Sequence, residues 1–251
     1  PKKGYVWAYA TTQYNPVQAV IYDFQDSRSG QHAAEFLKGW QGNLVCDDYS
    51  GYKARFKSGQ VIEVGCMAHA RRKFHELHVT GKSQIAEQAL VMIQRLYAIE
   101  AELRKKTDGT AEHRREYRQQ YSQPVMQQLY EWLNQHQLTV PSSSPTARAI
   151  NYSLKRWTAL SRYLDDGNLP IDNNWIENQM RPWALGRKNW LFAGSLRSGQ
   201  RAANIMTLIQ SAKLNGLDPY AYLSDVLKRL PTHKVPQIEE LLPHRWKPEP
   251  R

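Results

Sequence analysis

Cysteine is scarce: the 251 residues hold only Cys46 and Cys66, so no disulfide framework staples this chain. Each ends an apolar run, which predicts two buried, reduced thiols. No stretch approaches the roughly 18 uninterrupted apolar residues that span a bilayer, and no short apolar core follows a basic start as in a secretory signal. A cytoplasmic protein without a membrane partner is expected. No Walker-type phosphate loop occurs, which argues against an ATP-driven motor. Acidic residues are also outnumbered, 23 against 34 Lys and Arg, leaving a formal charge of +11 that attracts polyanions, nucleic acid foremost. The chain opens at Pro1 with no initiating Met, which reads as a fragment or a processed chain.

The remaining composition, 41% hydrophobic and 23% charged, is that of a globular protein able to bury a sizeable core. Residues 4–11, 17–24, 43–46 and 61–66 have strand character, with a helix over 29–40 whose apolar face is Ala33, Phe36, Leu37 and Trp40. A short helical connection at Tyr52 to Phe56 precedes the last strand. This order predicts a hairpin, a crossover helix and two further strands in one mixed sheet.

From Ala68 the apolar period changes from 2 to 3.6, and strands are expected to vanish for about a hundred residues. Pro124 should kink or restart the second long helix. Ser144 and Pro145 open another, and Asp165 to Asn168 form the exit turn. Asp172-Asn173-Asn174 starts a helix that Pro182 and Gly186 are expected to limit. Arg201 to Leu214 is a further helix, Asp218-Pro219 opens the next, and the proline-spaced tail is expected to lie as an extended arm held by Leu241, Leu242 and Trp246.

Two carboxylates could carry chemistry. Asp47 follows the short strand Leu44-Val45-Cys46, where α/β sheets place their sites; Asp47 or Asp48 would equally serve to cap the following turn. Glu177 lies one turn into a helix, and an ordinary first-turn glutamate, or a partner for Arg181, explains it as well. The surroundings of Glu177 are more informative. Between Asn178 and Leu217 there are six cations, Arg181, Arg187, Lys188, Arg197, Arg201 and Lys213, and no acid, a net +6. Trp183, Trp190 and Phe192 are interleaved with them, and the Gly194 to Gly199 segment is expected to be a flexible turn able to meet phosphate. Cations mixed with large aromatics favour a nucleic-acid surface over a merely solvated face. Arg71, Arg72 and Lys73 form a second cationic cluster of the same kind. Cys66-Met67-Ala68-His69 has half of a zinc spacing, but no second pair completes a tetrahedral set, so a helix entry is the better reading. His75-Glu76-Leu77-His78 is one residue short of the metalloprotease spacing.

Several stretches resemble the insertion sequence 66 family of bacterial transposases: residues 42–52, GNLVCDDYSGY; 64–74, VGCMAHARRKF; 169–195, from Leu-Pro-Ile-Asp-Asn-Asn to Phe-Ala-Gly-Ser; and 214–223, LNGLDPYAYL. The resemblance implies a ribonuclease-H-like α/β core with a large all-helical insertion. It also implies a DDE site in which two aspartates and a glutamate hold two Mg²⁺ or Mn²⁺ ions. Two such ions, about 4 Å apart, serve in-line phosphodiester transfer. By motif position Asp47 matches the second aspartate and Glu177 the glutamate, while Asp48 stands where the family usually has glycine. The first aspartate belongs to a motif that would precede Gly4, so the sheet is expected to be incomplete, with its first and central strand missing. Asp23 is a nearby acid better suited to a strand-end turn.

The expected organisation is core over 1–77, helical insertion over 78–168, core again over 169–213 with the glutamate helix and basic stretch, and a C-terminal element over 214–251. The implied function is metal-dependent cleavage and transfer of DNA strands at transposon ends. Asp47 and Glu177 would act as metal ligands, and Arg71, Arg72, Lys73, Arg181, Arg187, Lys188, Trp190, Arg197 and Arg201 as DNA contacts. DNA, a second copy of the full-length protein and a nucleoid location when DNA-bound are the implied partners and setting. This chain alone is expected to be inactive; a non-catalytic DNA-binding remnant is the alternative.

Overall fold

The computed structural model describes residues 2–106, 109–190 and 192–248. The chain divides into two compact units, one formed by Pro1–Lys38 with Trp175–Arg251 and the other by Gly39–Asn174.

In the first unit, β1 (Tyr5–Ala10) and β2 (Val20–Gln25) form an antiparallel hairpin in the register Tyr5 to Gln25 and Ala10 to Val20. Helix α1 (Gly30–Phe36) is capped by Ser29 and buries Ala33. Phe36 stays exposed on one side while its ring stacks on Tyr9 at 3.9 Å. Helix α8 (Asn174–Trp190) and helix α9 (Leu196–Leu214) supply the apolar cover: Trp183 and Ala203 pack with Val20 and Tyr22. Helix α9 also satisfies the outer edge of β2. Ser211 Oγ accepts from Val20 N–H at 3.1 Å and donates to Val20 C=O at 3.0 Å, and Thr207 Oγ1 accepts from Tyr22 N–H at 2.9 Å. Side chains thus do the work of a neighbouring strand and blunt that edge. Helix α10 (Pro219–Arg229), capped by Asp218, buries Tyr222 and Val226 against Ala212 and Leu241. The tail is not an extended arm. Val235–Leu241 winds into a 3-10 helix, and Trp246 meets Tyr222 edge-on while its indole N–H donates to Asp225.

In the second unit, β3 (Gly42–Val45) and β4 (Val61–Val64) pair in parallel, joined by a 3-10 turn at Ser50–Tyr52 and the short helix α2 (Lys53–Phe56). The strands therefore form two separate two-stranded sheets among the described residues, not one mixed sheet. Helices α3 (Met67–Gly81), α4 (Gln84–Lys106), α5 (Ala111–Thr139), α6 (Pro145–Lys155) and α7 (Trp157–Ser161) follow. They enclose one core of Phe74, Ile93, Leu96, Met126, Leu133, Ile150 and Tyr163. Pro124 neither ends nor restarts α5. Its ring and Gln120 both lie on the exposed side, so the carbonyl that loses its helical donor is open to water.

A buried ion pair holds the exit of this helical region. Arg118, fully buried, binds both oxygens of Glu100, through Nε at 2.7 Å and Nη2 at 2.8 Å. Its Nη1 donates to the carbonyls of Tyr163 at 3.0 Å and Leu169 at 2.8 Å. One guanidinium therefore neutralises a carboxylate and terminates the backbone of the 3-10 turn Arg162–Leu164 and the segment after it. The close approach at the same exit turn requires glycine, since a Cβ on Gly167 would lie 1.8 Å from Ala111 O.

Candidate active site and nucleic-acid interface

Strand β3 carries its ladder one residue past Val45, Cys46 N–H donating to Val64 C=O, and Asp47 is the first residue beyond it. Asp47 Oδ1 accepts from Tyr49 N–H at 3.1 Å, an Asx turn that bends the chain into the following 3-10 helix. Asp47 is half-buried and forms no ion pair among the described residues. Asp48 differs. Arg156 Nη1 reaches its Oδ1 at 2.5 Å and Lys53 Nζ at 3.1 Å, and the same Arg156 atom binds Glu63 Oε1 at 2.7 Å. Arg156 is 7% exposed, so the two carboxylates offset the charge it carries into the interior. Of the adjacent aspartates, Asp48 is tied into a buried cation and Asp47 is left for another partner. Burial, then the Glu63 carboxylate, pushes the Cys46 thiol up to about 12.

Beside β4, Cys66 ends the strand segment and is the N-terminal flank of α3. Its thiol donates to Asn173 Oδ1 at 3.0 Å and lies 3.1 Å from His69 Nδ1, while Asn173 N–H approaches the sulfur at 3.4 Å. Burial pushes this thiol up to about 11. Asp172 continues the polar cluster: it accepts from Tyr97 Oη at 2.7 Å, from Asn174 N–H at 3.0 Å and from Asn174 Nδ2 at 2.8 Å. Burial and the Asp172 carboxylate hold the Tyr97 phenol above its ordinary range. Cys66 and His69 thus spend their polar atoms on each other and on an amide, as a helix entry would. Among the described residues no three His, Cys, Asp or Glu side chains gather into a metal-holding group. Arg71 and Arg72 are exposed on α3, whereas Lys73 is half-buried with its ammonium 4.4 Å from the centre of the Tyr152 ring.

Glu177 lies in the exposed first turn of α8. The spacings of 4 and 11 residues place Arg181 and Lys188 on the same stripe, and both are exposed. A separate stripe of the helix, Ile176, Met180 and Trp183, enters the core. Neither Pro182 nor Gly186 limits the helix, which runs through both to Trp190. The amide hydrogen bond that Pro182 forgoes would have gone to Asn178, whose exposed carbonyl is free to meet solvent. Gly186 leaves room for an aromatic ring, since a Cβ there would lie 2.7 Å from the Trp190 indole.

The three aromatics of the basic stretch do not share one role. Trp183 is buried, edge-on to Tyr22 at 5.8 Å, and belongs to the core. Trp190 is 50% exposed and Phe192 75%. Arg187 and Lys188 in the last turn of α8, and Arg197 and Arg201 on one face of α9, are exposed as well. The Gly194 to Gly199 segment is not a flexible turn throughout. Ser195 caps α9, accepting from Ser198 N–H at 3.1 Å, and Gly199 is already helical and buried beneath Phe24. Asp23, opposite Trp7 within β2, accepts both bonds from Gln25 Nε2 at 2.9 Å. Asp47, Arg71, Arg72 and Lys73 belong to the unit of residues 39–174, and Glu177 and the cations after it to the other.

Residues 1–201 match the family described as Transposase IS66 family, and residues 207–244 match the IS66 C-terminal element. The chain belongs to the IS66 transposase family. Similar curated proteins come from Sinorhizobium fredii and carry the names uncharacterized protein y4qI, y4hP and y4jD. They are 39%, 36% and 40% identical over 98%, 97% and 91% of this chain. The chain spans about half the length of these IS66 relatives, 48%, 47% and 46%. No solved structure matches it. Among the described residues of this IS66 chain, no helix is long and apolar enough to cross a membrane.

Proposed function

We propose that this chain is a large part of a DDE transposase catalytic domain, which breaks and rejoins DNA strands at transposon ends. Asp47 and Glu177 supply two of the three carboxylates that hold two divalent cations. The observation that carries the assignment is the unequal fate of the adjacent aspartates. Asp48 is tied to Arg156 and Lys53, whereas among the described residues Asp47, at the carboxyl end of a parallel strand, is committed to one backbone N–H. Carboxylate oxygens are the donors that Mg²⁺ and Mn²⁺ prefer, so the residues fit the group. When bound, the two ions activate the attacking oxygen and stabilise the leaving one.

The chain's own part is to hold and orient. One Asx turn fixes Asp47 at the strand end, and another at Asp172 leads into the helix that carries Glu177. Arg181, Arg187, Lys188, Arg197 and Arg201 bind phosphates on one side, and Arg71, Arg72 and Lys73 do so from α3. A ribonuclease-H-like core is supported by the antiparallel hairpin and the parallel pair. Among the described residues, each pair leaves one side of β1 and one of β3 without a strand neighbour. The complete protein works at the nucleoid as an assembly of identical copies on two DNA ends.

The test is Mg²⁺-dependent cleavage of a terminal-repeat duplex by the complete transposase. Asp47→Asn and Glu177→Gln each abolish cleavage while duplex binding persists, and Asp48→Asn retains it. Full cleavage by Asp47→Asn overturns the assignment. Salt-dependent binding with no cleavage by the unaltered protein supports a DNA-binding remnant instead.

A further inference from the structure

The basic stretch contains two large aromatics that the fold does not bury. Trp183 shows what the sheet needs from this region, and it is met without Trp190 and Phe192. Trp190 is nevertheless held in place. It stands edge-on to Trp183, 5.5 Å between centres at 87°, over Gly186, where a Cβ would come within 2.7 Å of its indole. Half of its surface remains open. Phe192 follows two residues later, three-quarters exposed. The same stretch carries Arg187, Lys188, Arg197 and Arg201, all exposed, with no acid between Asn178 and Leu217.

Each feature narrows what can occupy this surface. Four exposed cations with no acid in their own stretch select a polyanion, not an apolar protein face. Phosphate contacts alone require no aromatic. An exposed ring pre-set by packing offers a flat face, and in duplex DNA each base already has both faces covered by its neighbours. An unpaired base has a face to give. Glycine at the cost of helix propensity, used to seat a tryptophan that stays half in solvent, is explained by such a partner and not by the core.

We infer that Trp190 and Phe192 form a stacking platform for unpaired nucleotides of a DNA strand, whose phosphates are held by Arg187, Lys188, Arg197 and Arg201. This deepens, and rests on, the reading of the stretch as a DNA surface. Staggered breaks in the two strands of a duplex leave unpaired nucleotides at its ends, which is where such a platform is useful.

The experiment measures binding of the full chain to a fluorescein-labelled 12-nucleotide strand and to the matching duplex by anisotropy across a salt series. Trp190→Ala weakens single-strand binding about 5- to 150-fold, the range of one stacked base, and duplex binding less than about 2-fold. Trp190→Phe retains most of the affinity. Phe192→Ala, at a more exposed site that leaves the Trp183 contact intact, gives the same pattern, which guards against a folding defect in the first variant. The salt slope is unchanged by the aromatic variants. In Arg187→Gln/Arg197→Gln both DNAs bind more weakly and the slope falls by about 1 to 2. Equal losses on strand and duplex, or no loss in either aromatic variant, overturn the platform while leaving the DNA surface standing. Absence of binding to both DNAs by the unaltered chain overturns the DNA surface itself.

Discussion

Replacing Arg118 by Met should unfold more than any other single change to the helical region. The guanidinium is wholly buried and meets the Glu100 carboxylate, itself 1% exposed, through two bonds, with two well-formed bonds to the carbonyls of Tyr163 and Leu169. Methionine matches much of the aliphatic volume but leaves a carboxylate in the core with no cation. Breaking one partner of such a pair costs about 3–5 kcal/mol. Glu100→Leu strands the opposite charge and costs a similar amount. In the double variant both charges are gone, and their desolvation penalty goes with them. What remains is two carbonyls short of a donor, about 1–3 kcal/mol. The two single losses should therefore exceed the double by at least about 3 kcal/mol. Urea denaturation followed by far-UV circular dichroism provides all four corners of this cycle. A loss below about 1 kcal/mol for Arg118→Met, or single effects that simply add, refutes the argument that this pair anchors the exit of the helical region.

Other outcomes follow from burial and pairing. Trp183→Ala should lower stability by about 3–5 kcal/mol, and Trp183→Phe much less, because the buried indole N–H of Trp183 has no hydrogen-bond partner to lose; thermal unfolding ranks the two. Ser211→Ala leaves both backbone groups of Val20 without their partner and should cost about 1–3 kcal/mol, with faster hydrogen exchange at Val20 as its local signature. The two thiols, pushed up to about 12 and about 11, should resist a disulfide reagent in the native protein at pH 8 and both react in urea. Because these folded-state values are raised, their contribution to stability is intact below the ordinary thiol value of 9.0 and is lost as pH rises from there through 11 to 12. Alkaline denaturation midpoints should move upward in a Cys46→Ala variant that stays folded.

Much of the local architecture was legible in the residues. Runs of β-branched, aromatic and apolar residues marked all four strands, the 3.6-residue period marked the long helices, and Ser144-Pro145 and Asp218-Pro219 marked two helix starts to the residue. These signals are local: a strand's two faces and a helix's first turn are set by neighbours within a few positions. Where the reading failed, the folded surroundings had intervened. Pro124 as a restart and Pro182 as a limit followed from the donor that proline removes, but both helices run on, and Gln120 and Asn178, whose carbonyls lose that donor, are exposed. Gly186 looked like an end because glycine weakens helices, but it was making room for Trp190. The tail looked extended because its prolines are spaced, but Tyr222 and Asp225 offered Trp246 a seat that lets the chain wind up.

For the candidate site the division is sharper. The motifs named Asp47, Glu177 and the basic stretch, which lie within the residues matched by the family and its C-terminal element. No spacing rule distinguishes Asp47 from Asp48, because the difference is made by Arg156, 108 residues away along the chain. Nor could periodicity tell which tryptophan of Trp183 and Trp190 faces the core, since that depends on where Tyr22 lies. By itself the sequence determined the family, the order of elements and the sign of the charge, all properties of neighbouring residues or of the whole composition. Only the tertiary structure decided which charges are neutralised and which aromatics stay exposed. Burial and ion pairing are contacts between residues far apart in the chain, and they exist only once the chain has folded.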